Sequence, residues 1–202
     1  MLLEVLNFAG IAVFAASGAT LGVRKDFDIW GIITVGVLTG VGGGVIRDVL
    51  LGINPPASID GWGPVVTATA ASVVVFFFHP AFTALHRSIL VLDAFGMGLF
   101  AATGAGIAID VGASPFAATT VGLLTAVGGG VLRDVISNEI PLLLQPSDLY
   151  AVPAVLGAAV VAVGATYTSA PGWVWLVVGS VLATGLRLAS LRFALRLPTA
   201  RR

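Results

Sequence analysis

The chain has 202 residues, ten basic and ten acidic, so its formal charge at neutral pH is zero; 57% of it is hydrophobic and 10% charged. A soluble domain carries about a quarter charged residues, so the composition excludes one and defines an integral membrane protein. There is no cysteine, which rules out a disulfide framework or a thiolate metal site. Two histidines are too few for a histidine metal centre, and no basic excess points to nucleic acid.

Crossing a hydrocarbon core of about 30 Å takes about 20 helical residues. Seven apolar segments meet that length, near 2–22, 30–51, 64–84, 88–109, 115–136, 149–169 and 173–193. The first offers small residues at Ala16-Ser17-Gly18-Ala19, as a signal-peptide cleavage site would, but it carries Glu4 in place of a positive leader. It also has a counterpart later in the chain, so it reads as structure. The connections are short, which predicts a single transmembrane domain over 1–202 with no soluble portion. Trp30, Trp62, Trp173 and Trp175 fall at segment ends, where interfacial anchors belong. His79 beside Pro80 reads as interfacial rather than as a proton relay.

One stretch is written twice. Gly42-Gly43-Gly44-Val45-Ile46-Arg47-Asp48-Val49 returns 86 positions on as Gly128-Gly129-Gly130-Val131-Leu132-Arg133-Asp134-Val135. At the same offset Phe14-Ala15-Ala16-Ser17-Gly18-Ala19 matches Phe100-Ala101-Ala102-Thr103-Gly104-Ala105, and Val35-Gly36-Val37-Leu38-Thr39 matches Val121-Gly122-Leu123-Leu124-Thr125. Repeat one is therefore 1–85 and repeat two 86–170, with a seventh helix in 171–202. Three spans per repeat is an odd number, so the second copy must run through the membrane in the opposite sense. That is the inverted-repeat plan of many transport proteins. Arg24, Lys25, Arg87, Arg192, Arg196, Arg201 and Arg202 share one side, which places the N-terminus outside and the C-terminus in the cytoplasm. Arg187 and Arg192 are expected to snorkel to that interface.

Each copy holds what lipid tolerates badly. Glycine inside a helix costs about 1 kcal/mol relative to alanine, and a central Arg or Asp about 2.5–3.5 kcal/mol on insertion scales. Two readings of Gly42, Gly43, Gly44, Gly128, Gly129 and Gly130 follow. They can allow close helix packing, or they can kink the second and fifth spans and free carbonyls for a cation; three consecutive glycines, written twice and with symmetry, favour the kink. Ser17, Thr39, Thr103 and Thr125 can line a hydrophilic path or bond their own helices. Arg47 and Asp48 are neighbours about 100° apart around a helix, as are Arg133 and Asp134, so neither pair is expected to close on itself. Depth counting instead pairs Arg133 with Asp93, and Arg47 more weakly with Asn7. No nucleophile with a base, flanking carboxylate pair or phosphate loop is present, so no enzyme is expected.

The doubled Gly-Gly-Gly-x-x-Arg-Asp motif in a seven-span chain of this length resembles the prokaryotic members of the trimeric intracellular cation channel (TRIC) family, over residues 2–195. The resemblance implies a homotrimer in the cell membrane, each protomer with its own pore bounded by kinked second and fifth helices and passing monovalent cations, K⁺ foremost. It implies no cofactor other than the permeant ion. By that likeness the two glycine triplets form the kinks, and Arg47, Asp48, Arg133 and Asp134 organise the adjoining pore. Animal members carry Lys-Glu where this chain has Arg47-Asp48. Prokaryotic relatives have also been assigned as glycine transporters, so a carrier of a small neutral solute is the alternative, and a non-conducting scaffold a third.

Overall fold

The structure, a computed structural model, describes residues 1–83, 88–145, 149–195 and 197–198. His86, Arg87, Arg196, Arg201 and Arg202, used above for orientation, lie outside these residues. Eight α-helices follow one another among the described residues: α1 (Leu2–Arg24), α2 (Ile29–Leu50), α3 (Ala57–Asp60), α4 (Trp62–Thr83), α5 (Ser88–Asp110), α6 (Pro115–Ile136), α7 (Ala151–Tyr167) and α8 (Gly172–Phe193), with a 3₁₀ turn at Leu142–Leu144. Seven of these fall on the seven apolar segments. Six are long and apolar enough to cross a membrane, whereas α7, at 17 residues, is shorter.

The helix ends obey the 86-residue offset in their local chemistry. The side chain of Asp28 accepts from the Gly31 N–H at 2.7 Å to cap α2, and Ser114 does the same for Ala117 at 3.3 Å to cap α6. Pro115, which has no N–H to lose at that point, opens α6. At the other ends the chain reverses through left-handed residues, Asp26 and Gly112 after α1 and α5, Gly52 and Asn138 after α2 and α6. Glycine, asparagine and aspartate are the residues that tolerate this conformation. The reversal lets Ile53 N–H donate to the Asp48 carbonyl and Glu139 N–H to that of Asp134, both at 2.8 Å.

Helix α4 departs from helical geometry at Phe78. Pro80 has no N–H to offer the Phe76 carbonyl. The His79 ring nitrogen Nδ1 takes that carbonyl instead, at 2.9 Å, which gives His79 a structural task at the bend.

Small residues decide the packing. A Cβ placed on Gly10 would stand 2.5 Å from the Phe100 ring, and one on Gly96 2.8 Å from the Phe14 ring. Those two rings meet at the centre, centroids 5.2 Å apart. Gly36 and Gly122 lie against the carbonyls of Ala15 and Ala101, and Gly18 and Gly104 against the side chains of Thr39 and Thr125. Every one of these contacts has its counterpart 86 residues away. Without a hydrophobic force between helices in lipid, such close backbone approach supplies the van der Waals contact that holds a bundle together.

The glycine triplets carry the closest approach to the backbone of another helix. Helices α2 and α6 run unbroken through Gly42–Gly44 and Gly128–Gly130, so the freed carbonyls expected of a broken helix are not present. Instead a Cβ on Gly43 would collide with the Thr125 carbonyl oxygen and one on Gly129 with the Thr39 carbonyl oxygen. Gly42 faces Leu132 and Gly128 faces Ile46 in the same reciprocal way. The physical reason is direct: without side chains the two backbones can touch, and an intact ladder satisfies each helix internally.

Replacing Gly43 or Gly129 by alanine is expected to overpack this crossing by about 1–3 kcal/mol and to lower the melting temperature of the purified protein by roughly 2–10 °C. Alanine at Gly61, where a Cβ would meet nothing, is the control. Equal melting temperatures for all three variants would show that the crossing is not tight.

Candidate functional site

Polar side chains gather at both ends of the glycine crossing, one group for each copy of the motif. In the second, Arg133 is fully buried. Its Nε donates to Asp134 Oδ1 at 2.8 Å, and its Nη1 donates to Asp93 Oδ1 at 2.7 Å and to Ser17 Oγ at 2.6 Å. The pairing of Arg133 with Asp93 is as the depth counting anticipates. Asp134 uses its second oxygen to accept the Leu142 N–H at 2.8 Å. Three helices and the 3₁₀ turn are thereby tied to one guanidinium.

The first copy is sparser. Arg47, 3% exposed, donates from Nε to Asp48 Oδ1 at 2.7 Å, and this is its one hydrogen bond among the described residues. Asn7 does not pair with it, contrary to the depth-counting expectation. The expectation that neighbours in sequence cannot pair also fails, in both copies. An arginine side chain is long enough to fold back around the helix, and burial makes any available carboxylate worth reaching.

Of the hydroxyl residues, only Ser17 joins the charged network. Thr39, Thr103 and Thr125 donate to the carbonyls four residues back, at Val35, Leu99 and Val121. That is how a threonine satisfies itself inside an apolar helix.

Several contributors carry no motif in the sequence. The Tyr150 hydroxyl lies against Gly130 beside Asp93. Arg187 is 1% exposed, so it does not snorkel as expected; it sits over the Tyr150 ring at 4.7 Å and donates to the Leu149 carbonyl at 2.7 Å. Ser58, from short α3, packs against Gly44 beside Arg47. The sequence signal for Arg187 is charge alone, an arginine within an apolar span. Tyr150 and Ser58 give none.

Below the Arg133 cluster a cavity of about 230 Å³ opens, lined by Arg24, Arg133, Asp134, Glu139 and Gln145 together with apolar side chains such as Leu21. At its rim Lys25, from the turn after α1, meets Glu139, from the turn after α6, at 2.5 Å. The ammonium bonds the carboxylate and attracts it, which lowers the pKa of Glu139. The bundle thus presents a buried ion-pair network behind a polar vestibule, as in the class of polytopic membrane proteins that handle small polar or charged solutes.

Comparison with known proteins narrows this class. A family model described as "Glycine transporter" matches the chain twice, at residues 4–80 and 90–166. A UPF0126 membrane protein of Deinococcus radiodurans is 38% identical over 203 residues, covering 98% of this chain and 92% of its own. The UPF0126 inner membrane protein YadS of Escherichia coli K12 is 36% identical, covering 98% and 96%. The crystal structure of the TRIC trimeric intracellular cation channel orthologue from Rhodobacter sphaeroides superposes with a TM-score of 0.91 at 36% identity, over 96% of this chain and 99% of that one. A second TRIC cation channel structure, concerned with conductance, gives 0.89 at 37% identity over 100% and 98%. The chain belongs to this family of prokaryotic membrane proteins, which unites the "Glycine transporter" model, the UPF0126 proteins and the prokaryotic TRIC structures.

Two outcomes check the geometry. Asp93→Ala strands Arg133 in the apolar interior and is expected to cost about 3–5 kcal/mol, read as a large fall in melting temperature; wild-type stability in Asp93→Asn, which keeps the shape and an oxygen acceptor but not the charge, would show that the carboxylate charge does not matter. The Lys25 bridge predicts a pH dependence. Because the folded-state pKa of Glu139 is depressed, its stabilisation is present above the ordinary carboxylate pKa and disappears as pH falls through the depressed value. The melting difference between wild type and Lys25→Ala should therefore be small at neutral pH, as for any exposed pair, and vanish in acid. A difference that grows in acid would oppose this assignment.

Proposed function

We propose that the protein is a channel for monovalent cations, K⁺ among them, with one conduction path inside each protomer of a homotrimer. The observation that carries this reading is the likeness of nearly the whole chain to TRIC channel structures, at a TM-score of 0.91 and 36% identity. The path runs along α2 and α6, past Arg47–Asp48 at one end of the glycine crossing and Arg133–Asp134 at the other. The tight contact at Gly43 and Gly129 corresponds to the shut state, and conduction requires the two helices to part there. A path that passes the two arginine–aspartate clusters without a ring of like charge would discriminate only modestly between cations.

The architecture proposed with it is a single transmembrane domain of two inverted repeats, 1–85 and 86–170, with α8 standing outside them in 171–202. Contacts that recur in exchanged form across the 86-residue offset support a pseudo-two-fold relation, since residue n of one copy meets m of the other while their counterparts meet in reverse. The double match of the family model, itself offset by 86, supports it too. The end that carries Arg24, Lys25 and Arg192 is the cytoplasmic one by the positive-inside rule, in the cell membrane. Neither enzymatic activity nor a cofactor belongs to this reading.

The description "Glycine transporter" favours a second reading, a carrier that moves a small neutral solute through the same path. Reconstitution in a planar bilayer under asymmetric KCl separates the two. Discrete current steps that reverse toward the K⁺ equilibrium potential are expected of the channel. Electrical silence together with glycine counterflow in liposomes would establish the carrier instead.

A further inference from the structure

A second cavity, of about 260 Å³, lies at the end of the bundle opposite Lys25, where the start of α1, the last turns of α5 and α7 and the first turns of α8 converge. Its walls are apolar, formed by Leu3, Ile109, Val161, Ala165 and Leu176. Gly106 lets them close in, since a Cβ there would stand 2.9 Å from Leu176 Cδ2 and 3.4 Å from Leu3 Cδ1. The volume is many times the roughly 30 Å³ share of one water molecule, and walls of this kind give water nothing to bond. At the end of a set of membrane spans, the filling that suits them is a hydrocarbon chain from the adjoining leaflet.

The rim of the cavity carries charge of one sign. Asp110 closes α5, and Trp173, 57% exposed, stands in the first turn of α8; both line the opening. A carboxylate in the last turn of a helix meets the negative end of the helix dipole, which is its unfavourable place. Asp110 nevertheless has no hydrogen-bond or ion-pair partner among the described residues. The described basic side chains are not placed to compensate it. Arg24, Lys25, Arg133, Arg187 and Arg192 lie toward the opposite ends of α1, α6 and α8, and Arg47 is buried against Asp48. The one other cation at this end among the described residues is the α-ammonium of Met1, a fully exposed residue.

We propose that this cavity binds a phospholipid whose headgroup ends in a primary ammonium, an ethanolamine-type lipid, with the ammonium on Asp110 and part of an acyl chain against Gly106. A primary ammonium, like that of lysine, carries the charge and also donates hydrogen bonds to a carboxylate. A quaternary choline has no hydrogen to donate, and an anionic glycerol headgroup is repelled by Asp110. The Trp173 ring suits the same occupant, because an indole face attracts a cation and its body sits well at headgroup depth. The inference requires only that the chain is embedded in a membrane and does not depend on what it conducts or carries.

The test is native mass spectrometry of the full-length protein released from nanodiscs that hold equal amounts of ethanolamine, choline and glycerol phospholipids with identical acyl chains. Wild type is expected to retain the ethanolamine lipid at least fivefold over either of the others. Asp110→Asn should abolish that preference, whereas Asp60→Asn, the same change at an exposed aspartate outside the cavity, should leave it intact. Ala165→Leu fills the cavity and should lower retention of the ethanolamine lipid at least threefold. Equal retention of the three lipids by wild type would overturn the proposal, and so would an ethanolamine preference that survives Asp110→Asn. A melting temperature lowered by Asp110→Asn to the same extent in each lipid alone would assign the carboxylate to the Met1 ammonium, which also overturns it.

Discussion

A guanidinium that remains charged must be buried in an apolar helical bundle, and much of the structure answers that constraint. Moving such a group out of water costs several kcal/mol even after relaxation, and only closely fitted partners offset the penalty. Around Arg133 those partners come from α1 (Ser17), α5 (Asp93) and α6 itself (Asp134). Since each bond has a fixed length, the arginine sets how those helices stand relative to one another. Asp134 then extends the constraint to the 3₁₀ turn through the Leu142 N–H, which draws the following chain over the vestibule.

The glycine crossing solves the complementary problem. Charged clusters at the two ends of α2 and α6 could not both be buried unless the helices between them met closely enough to exclude lipid and solvent. Side chains would keep the axes apart; Gly43 and Gly129 let each backbone rest on a carbonyl of the other. The contact consists of backbone alone and contains no ion pair or side-chain hydrogen bond to be broken. Parting the two helices at that point would break no ion pair and no side-chain hydrogen bond.

The fold was largely legible in the sequence because its signals are coarse. Apolar length marks helices, and seven of the eight lie within two residues of the apolar segments; short α3 escapes because four residues carry no periodicity. The pairing of Arg133 with Asp93 was legible because two opposite charges at matching depth in lipid have few alternatives. The bond between Arg47 and Asp48 was not, since helix geometry describes where Cβ atoms point and says little about where a long side chain ends. The glycine triplets misled for a related reason. A helix-breaking composition and a helix-packing composition are the same letters, and only the facing carbonyls of Thr39 and Thr125 distinguish them. Tyr150 and Ser58 enter through loops whose path no local pattern specifies.

The 86-residue repeat in the sequence accounts for the likeness of the two clusters, and three differences between the copies account for where they diverge. Asn7 for Asp93, Thr103 for Ser17 and Pro56 for Leu142 all remove a partner from the same cluster, and none removes a partner from the other. Arg133 is therefore tied by side-chain hydrogen bonds to α1, to α5 and, through Asp134, to the 3₁₀ turn, whereas among the described residues Arg47 is bonded within α2 alone.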